Sequence, residues 1–171
     1  HPVTPGKPHS ALIDPDCGPT CFAFTRQALP VLGKPADWRD SVRKWGAWVA
    51  FDTPGGKTPE ILILASGSEV AVAFGAAQKL SAEGKLVRVV AVPSLQRLQR
   101  AIALGETTAG QVAAHLLPEG VHRYAIEAGN FMSWGGLVGR DDFLGINGFG
   151  ECGPGDQVAE HFSMTVDGLV N

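Results

Sequence analysis

Arg26 is the residue best placed for chemistry in this 171-residue chain. It follows a short apolar run, Thr20 to Thr25, in which Phe22 and Phe24 alternate with small residues, as on a strand that is buried on both faces. Open α/β sheets collect ligand groups at the carboxyl ends of their strands, where a guanidinium can hold a phosphate through two parallel hydrogen bonds. The pattern predicts a strand that ends at Arg26, which could bind a phosphate. From the residues alone, an exposed charge or a salt-bridge partner is favoured over that role.

A second candidate follows the apolar run Ile61 to Ala65. Ser66 stands three residues before Glu69, which predicts a capping box at the start of a helix. The free N–H groups of that helix start could receive an anion, but the Glu69 carboxylate competes for the same donors. Because no glycine-rich phosphate motif or Walker lysine accompanies the turn, a structural cap is favoured over an anion site.

Glu127 is a third candidate, at the end of the predicted strand Val121 to Glu127. A carboxylate in that place could serve as a general acid or base. The sequence places no partner acid, histidine or lysine beside it, so structural pairing is favoured. Ser68, Ser94 and Ser133 lack the context of a nucleophile elbow and give hydrolase chemistry no support.

Composition narrows the class of protein. A formal net charge of -3 and a pI near 5.9, with basic residues scattered along the sequence, predict neither a nucleic-acid partner nor a membrane partner. Three cysteines are too few for a disulfide scaffold and favour a reducing compartment, so we expect a cytoplasmic protein. Cys17 and Cys21 could be half of a zinc site, but no second pair follows at ligand spacing, and we expect no metal.

The elements that must position these residues alternate in the α/β manner. Proline-rich residues 1–17 predict an extended arm, and the stretch from Gly33 to Arg43 predicts a linker. From about Gly46 onward, apolar runs alternate with helical segments, which predicts a mostly parallel sheet with helices on both faces. The expected strands are Ala47 to Phe51, Ile61 to Ala65, Leu86 to Val92, Val121 to Glu127 and Phe143 to Ile146. The expected helices begin at Ser66, Gln96 (broken at Gly105 and Gly110), Pro154 and Met164.

A series of short motifs gives a family resemblance. They occur in the order Gly18-Pro19-Thr20, Thr25-Arg26-Gln27, Ser66-Gly67-Ser68-Glu69-Val70, Val92-Pro93-Ser94, Ile126-Glu127-Ala128-Gly129 and Gly148-Phe149-Gly150. This series resembles the C-terminal part of transketolase, the thiamine-diphosphate enzyme of the pentose phosphate pathway that transfers two-carbon ketol units between sugar phosphates. The resemblance runs from Gly18 to Val170 and covers about the last quarter of that enzyme.

The resemblance implies a division of the chain. Residues 18–45 are similar to the last strand of the pyrimidine-binding domain and the linker that follows it. Residues 46–171 are similar to the transketolase C-terminal domain, whose mainly parallel sheet has one antiparallel strand. Residues 1–17 do not resemble the family segment that precedes Gly-Pro-Thr, and Cys152 stands where the family tends to have serine.

The same resemblance implies roles. Arg26 matches the family's arginine that binds the substrate's terminal phosphate, and no catalytic, cofactor-binding or metal-binding residue is expected in this chain. Thiamine diphosphate and Mg belong to the complete enzyme, which is a homodimer, and the isolated chain is expected to be inactive. The implied partners are the remaining transketolase domains or subunit. The alternatives are a free-standing regulatory or binding module with this fold and, more remotely, a separate enzyme that uses Ser66 to Glu69 as an anion site.

Overall fold

The computed structural model describes residues 21–103 and 106–171, with only the backbone given for residues 106–108. The helices are α1 (Trp38–Trp45), α2 (Glu69–Ala82), α3 (Leu95–Ala103), α4 (Glu106–His115), α5 (Gly155–His161) and α6 (Val166–Val170), with a short 3-10 turn at Phe131–Ser133. The strands are β1 (Trp48–Asp52), β2 (Ile61–Ala65), β3 (Val87–Ala91), β4 (His122–Glu127) and β5 (Phe143–Gly145). The expected arm at residues 1–17, together with Gly18 to Thr20 and Gly105, lies outside the described residues.

The strands form one five-stranded sheet in the order β1-β3-β2-β4-β5. β1 runs antiparallel to β3, and the remaining neighbours are parallel. The predicted α/β class is confirmed, as is the single antiparallel strand that the family resemblance implies. Each connection between parallel strands passes through helical structure, as parallel pairing requires.

Both faces of the sheet are covered by helices, which explains the continuous apolar run of β2. Leu62 and Leu64 point into a core shared with α3, α4 and Trp134. Ile63 points the other way, into a core shared with α2 and α6. A strand between two cores must be apolar on both sides, so the sequence of β2 shows no alternation.

The expected linker at Gly33 to Arg43 is wrong over its second half, because α1 begins at Trp38. Trp38, Val42 and Trp45 lie at helical spacing and contact the core, while the charged residues between them face outward. Gly46 ends α1 in the left-handed region, at φ 75°, and its N–H donates to the Val42 carbonyl at 2.8 Å. A side chain at Gly46 would collide with the Ser94 carbonyl, so glycine is required there.

The strand expected at Thr20 to Thr25 is also absent over its described part. Residues 21–25 have no regular secondary structure and pair with no strand of the described sheet. Phe24 is 68% exposed and Val31 is 86% exposed, so this segment contributes little to either core. A strand requires hydrogen-bonding neighbours, and nothing in the described residues supplies them.

The later helices differ from expectation in detail. Gly110 lies inside α4, although a break was expected there, because one glycine weakens a helix by only about 1 kcal/mol. The closing helix is confirmed as α6, which packs on α2. Within the described residues, no helix has the length and apolarity that crossing a lipid bilayer requires.

Candidate functional site at the carboxyl edge of the sheet

The first candidate, Arg26, lies in the exposed segment that precedes α1. The N–H of Gln27 donates to Thr25 Oγ1 at 3.3 Å, which makes a local turn around Arg26. Gln27 also lies beside the start of α5, because a Cβ built on Gly155 would be 3.2 Å from Gln27 Nε2. Arg26 is therefore exposed on a segment that contacts the folded domain but is not part of its sheet.

The second and third candidates, Ser66 and Glu127, meet each other. β2 and β4 are parallel neighbours, with Ala65 opposite Ile126, so the next residue of each strand faces the other across the edge of the sheet. Ser66 Oγ donates a hydrogen bond to Glu127 Oε2. The expected capping box is wrong for this reason: α2 begins at Glu69 after Ser68, whose side chain makes no cap hydrogen bond. The Ser66 hydroxyl therefore links the end of β2 to the end of β4 and does not cap α2.

The Glu127 carboxylate therefore has a hydrogen-bond partner, the Ser66 hydroxyl, which the sequence analysis did not name. Burial raises the pKa of the Glu127 carboxyl above its ordinary range; the hydrogen bond from Ser66 opposes that shift, and the negative charge of Glu69 adds to it. Ser68 Oγ in turn donates to Glu69 Oε1 at 2.8 Å. Two carboxylates with a serine hydroxyl on each thus occupy the carboxyl ends of β2 and β4.

This place is the topological switch point of the sheet. After β2 the chain enters α2 on one face, whereas after β4 it enters the Phe131–Ser133 turn, which packs with Trp134 on the other face. Such a divergence opens the crevice in which open α/β sheets bind ligands. Here the Ser66 to Glu127 hydrogen bond spans the crevice. The negative charge of Glu69 and Glu127 disfavours an anion at this point, so the separate enzyme that would use Ser66 to Glu69 as an anion site gains no support.

An open cavity of about 430 Å³ lies at the opposite end of β4. It is lined by His122, Arg123, Asp142 and the glycine-rich loop 135–139, and His122 Nε2 lies 2.7 Å from Asp142 Oδ1. The sequence analysis did not single out this pair, because its members are 20 residues apart and only the pairing of β4 with β5 brings them together.

Thiamine diphosphate and the Mg ion that accompanies it need oxygen ligands for the metal and cations for the diphosphate. Among the described residues, no group of three His, Cys, Asp or Glu side chains comes together in a way that could hold a metal ion. Ser66, Glu127 and Glu69 supply two carboxylates and no cation for a diphosphate. The residues at this edge do not fit the cofactor, and we derive no step through it.

The fold and this switch point define an open α/β domain with one antiparallel edge strand. The family model for the transketolase-like TK C-terminal domain matches residues 46–165. A transketolase from Treponema pallidum is 37% identical over 154 residues, which is 90% of this chain and 21% of that protein. The chain thus spans about a fifth of the length of the curated relatives it matches.

Solved structures agree with the sequence matches. A transketolase from Leishmania mexicana superposes with a TM-score of 0.63 at 32% identity, covering 77% of this chain and 18% of that one. A Pichia stipitis transketolase, described in complex with xylulose 5-phosphate, gives a TM-score of 0.69 at 25% identity over 85% of this chain and 19% of that one. The chain belongs to the transketolase family, and residues 46–165 match its C-terminal domain.

Proposed function

We propose that this chain is the C-terminal part of a thiamine-diphosphate-dependent, dimeric, cytoplasmic transketolase, in which it completes the fold and offers Arg26 to the substrate phosphate. The observation that carries the proposal is the extent of the match. A relative aligned over 154 of 171 residues reaches well upstream of residue 46 and includes the segment around Arg26. The other four fifths of such a protein would hold the cofactor and its Mg ion.

Exposed apolar side chains before α1 support the division of the chain into residues 18–45 and residues 46–171. The segment before α1 leaves Phe24, Leu29 and Val31 exposed, at 68%, 42% and 86%. Exposed apolar side chains in one stretch are typical of a surface that another part of the protein covers. We assign residues 18–45 to the end of the preceding domain and its linker, and residues 46–171 to the C-terminal domain. The start of the family match at residue 46 supports that boundary.

Arg26 suits a phosphate contact on chemical grounds. Its side chain is exposed, it is always charged at neutral pH, and its planar fork can donate two parallel hydrogen bonds to phosphate oxygens. The end of the Gln27 side chain lies near Gly155, and the hydrogen bond between Thr25 and Gln27 makes a local turn around Arg26. Because it would contact the end of the substrate remote from the reacting carbons, its contribution is to substrate binding and position.

The test is Arg26→Ala in the complete enzyme, with matched phosphorylated and unphosphorylated substrates. Loss of one charge-assisted contact costs about 1.5 to 3 kcal/mol, so KM for phosphorylated sugars should rise about 10-fold to 150-fold. KM for unphosphorylated sugars and kcat should change little. Arg140→Ala, which removes another exposed arginine, one that lies over the Phe131 ring, is the control and should leave both substrates unaffected. Equal losses on both substrate types would refute the phosphate role.

A further inference from the structure

The residue after Arg26 lies near the start of α5. A Cβ built on Gly155 would be 3.2 Å from Gln27 Nε2 and 3.9 Å from Gln27 Cδ. A side chain at position 155 would therefore press on the Gln27 amide, which already occupies the space beside Gly155. Gln27 belongs to the segment before α1, whereas Gly155 lies within residues 46–165, which match the C-terminal domain. The segment before α1 thus approaches the C-terminal domain one residue away from Arg26.

The backbone conformation of Gly155 does not require glycine. Gly155 is the first residue of α5, and its φ lies outside the left-handed region in which glycine is favoured. An L-residue could therefore adopt the same backbone without strain. The absence of a side chain at Gly155 instead leaves room for the end of the Gln27 side chain.

The core sets the position of α5. This helix has only 7 residues, too few to be stable alone, so its place depends on the residues that follow it. Met164 is 7% exposed and belongs to an apolar cluster against which Phe162 and Phe51 of β1 also pack. The Met164 N–H donates to the Ala159 carbonyl at 2.8 Å, which ties this cluster to α5. Gly155 is therefore held in place by the folded domain.

A neighbour that is held in place reduces the cost of ordering Arg26. The Arg26 guanidinium ends a long, exposed side chain, and ordering such a side chain on binding costs free energy. The Gln27 N–H donates to Thr25 Oγ1 at 3.3 Å and turns the main chain around Arg26. With Gln27 beside Gly155, this turn is supported by the folded domain. Arg26 then loses less conformational freedom when a phosphate binds.

We propose that the C-terminal domain positions Arg26 for the substrate phosphate, through the contact between the Gln27 side chain and Gly155. This inference rests on the proposed role of Arg26. It gives the C-terminal domain a part in substrate binding, although no catalytic residue is expected there. Gln27 and Gly155 are positioning residues, because each acts through Arg26 and not on the substrate. Their effect is confined to phosphorylated sugars, since only these carry the group that Arg26 binds.

The positioning role can be measured separately from folding. Gln27 is exposed, and substitutions of exposed side chains usually change stability little. Gly155→Leu adds a side chain without backbone strain, and the atoms it would meet are at the flexible end of Gln27. Gln27→Ala and Gly155→Leu should therefore leave the melting temperature of the complete enzyme close to that of the wild type.

The test is steady-state kinetics of Gln27→Ala and Gly155→Leu in the complete enzyme, with phosphorylated and unphosphorylated sugars. Each variant keeps the Arg26 charge but must order its side chain on binding, so KM for phosphorylated sugars should rise about 2-fold to 10-fold. This rise is smaller than the one expected for Arg26→Ala. KM for unphosphorylated sugars and kcat should change little. An unchanged KM for phosphorylated sugars in either variant would overturn the proposal.

Double variants test whether the three residues act in one sequence of contacts. In a Gln27→Ala background, Gly155→Leu should raise KM no further, because the side chain that it displaces is already gone. In an Arg26→Ala background, Gln27→Ala should have no effect, because Gln27 acts only through Arg26. Independent effects that multiply in either double variant would overturn the proposal.

A matched control separates the contact from a general effect of the substitution. Gly110→Leu makes the same change inside α4, where nothing lies within 4 Å of a Cβ built on the glycine. It should leave KM unchanged for both substrate types. An equal rise of KM in Gly110→Leu would overturn the proposal. So would a lowered melting temperature in Gly155→Leu accompanied by equal losses on both substrate types.

Arg26→Ala separates this inference from the role on which it rests. If Arg26→Ala raises KM for phosphorylated sugars while Gln27→Ala and Gly155→Leu do not, the positioning role is refuted and the phosphate role stands. If Arg26→Ala affects both substrate types equally, the phosphate role is refuted and the positioning role falls with it.

Discussion

Two regions of this chain use apolar residues in opposite ways. From Gly46 onward, most apolar side chains fill cores on either side of the sheet, with Met132 and Phe149 as exposed exceptions, and Leu62, Leu64 and Ile126 are fully buried. Upstream of α1, Phe24 and Val31 are largely exposed and no strand forms. The difference shows that an apolar segment forms a β-strand only where neighbouring strands can pair with it and helices can pack on its faces. The upstream region is consistent with the end of a domain whose other parts lie elsewhere.

The largest expected contrast between the two regions is in stability. Leu64→Ala should lower the free energy of unfolding of the chain by about 2 to 5 kcal/mol, because it removes a side chain that is 0% exposed and leaves a cavity. Phe24→Ala should change it by no more than about 0.5 kcal/mol, because that ring is 68% exposed. Urea denaturation of both variants measures these changes in the free energy of unfolding. A loss for Phe24→Ala comparable to that for Leu64→Ala would mean that the upstream region belongs to the same core.

The next expected effect is at the boundary between the regions. Gly46→Ala should destabilise the chain by about 1 to 3 kcal/mol, because Gly46 has φ 75° and its new Cβ would meet the Ser94 carbonyl. Gly33→Ala is the matched control, since nothing lies within 4 Å of a Cβ built there. Thermal unfolding of both variants should separate them clearly. Equal melting temperatures would show that the turn between α1 and β1 is not a fixed part of the domain.

A smaller effect is expected from the Ser66 and Glu127 pair inside the domain. A double-mutant cycle with Ser66→Ala and Glu127→Ala should give a coupling of about 1 kcal/mol at neutral pH, reduced because the pair is only partly buried. Strict additivity would mean that Ser66 acts through the helix cap and not through Glu127.

The pH dependence of the same pair has a definite sign. The folded state raises the pKa of Glu127, chiefly through burial, so the folded chain holds this proton at a pH where the unfolded chain has lost it. The contribution of Glu127 to stability is therefore fully present at low pH and is lost as pH rises through the raised pKa. Relative to Glu127→Gln, the wild-type chain should lose stability between about pH 4 and neutrality. Urea unfolding of both across that range tests this, and a relative gain for the wild type would contradict the assigned direction.

The sequence predicts the strands correctly where an apolar run is bounded by turn residues. β2 was expected at Ile61 to Ala65 and lies there, and β3 and β4 agree to within one residue at each end. Their apolar runs are bounded by turn residues, so neither their type nor their limits depend on distant contacts.

The predictions that were wrong concern residues whose structure depends on contacts with distant parts of the chain. The charged residues of α1 favour a linker, although its apolar residues have the spacing of a helix. Ser66 has the spacing of a cap, yet it pairs with Glu127, 61 residues away, because the register of β2 and β4 sets them face to face. That register could have been anticipated by aligning the ends of the two predicted strands. The strand expected at Thr20 to Thr25 depends on neighbours outside the described residues, and no local pattern can supply those.

The central claim is that the upstream segment belongs to a preceding domain and that residues 46–171 form a domain of their own. Hydrogen exchange of the amides at 21–31 tests it most directly, measured in the 171-residue chain and in the complete enzyme. The account predicts fast exchange in the chain alone and strong protection in the complete enzyme, while β2 to β4 are protected in both. Equal and fast exchange of the segment in both would contradict the account, as would strong protection in the chain alone.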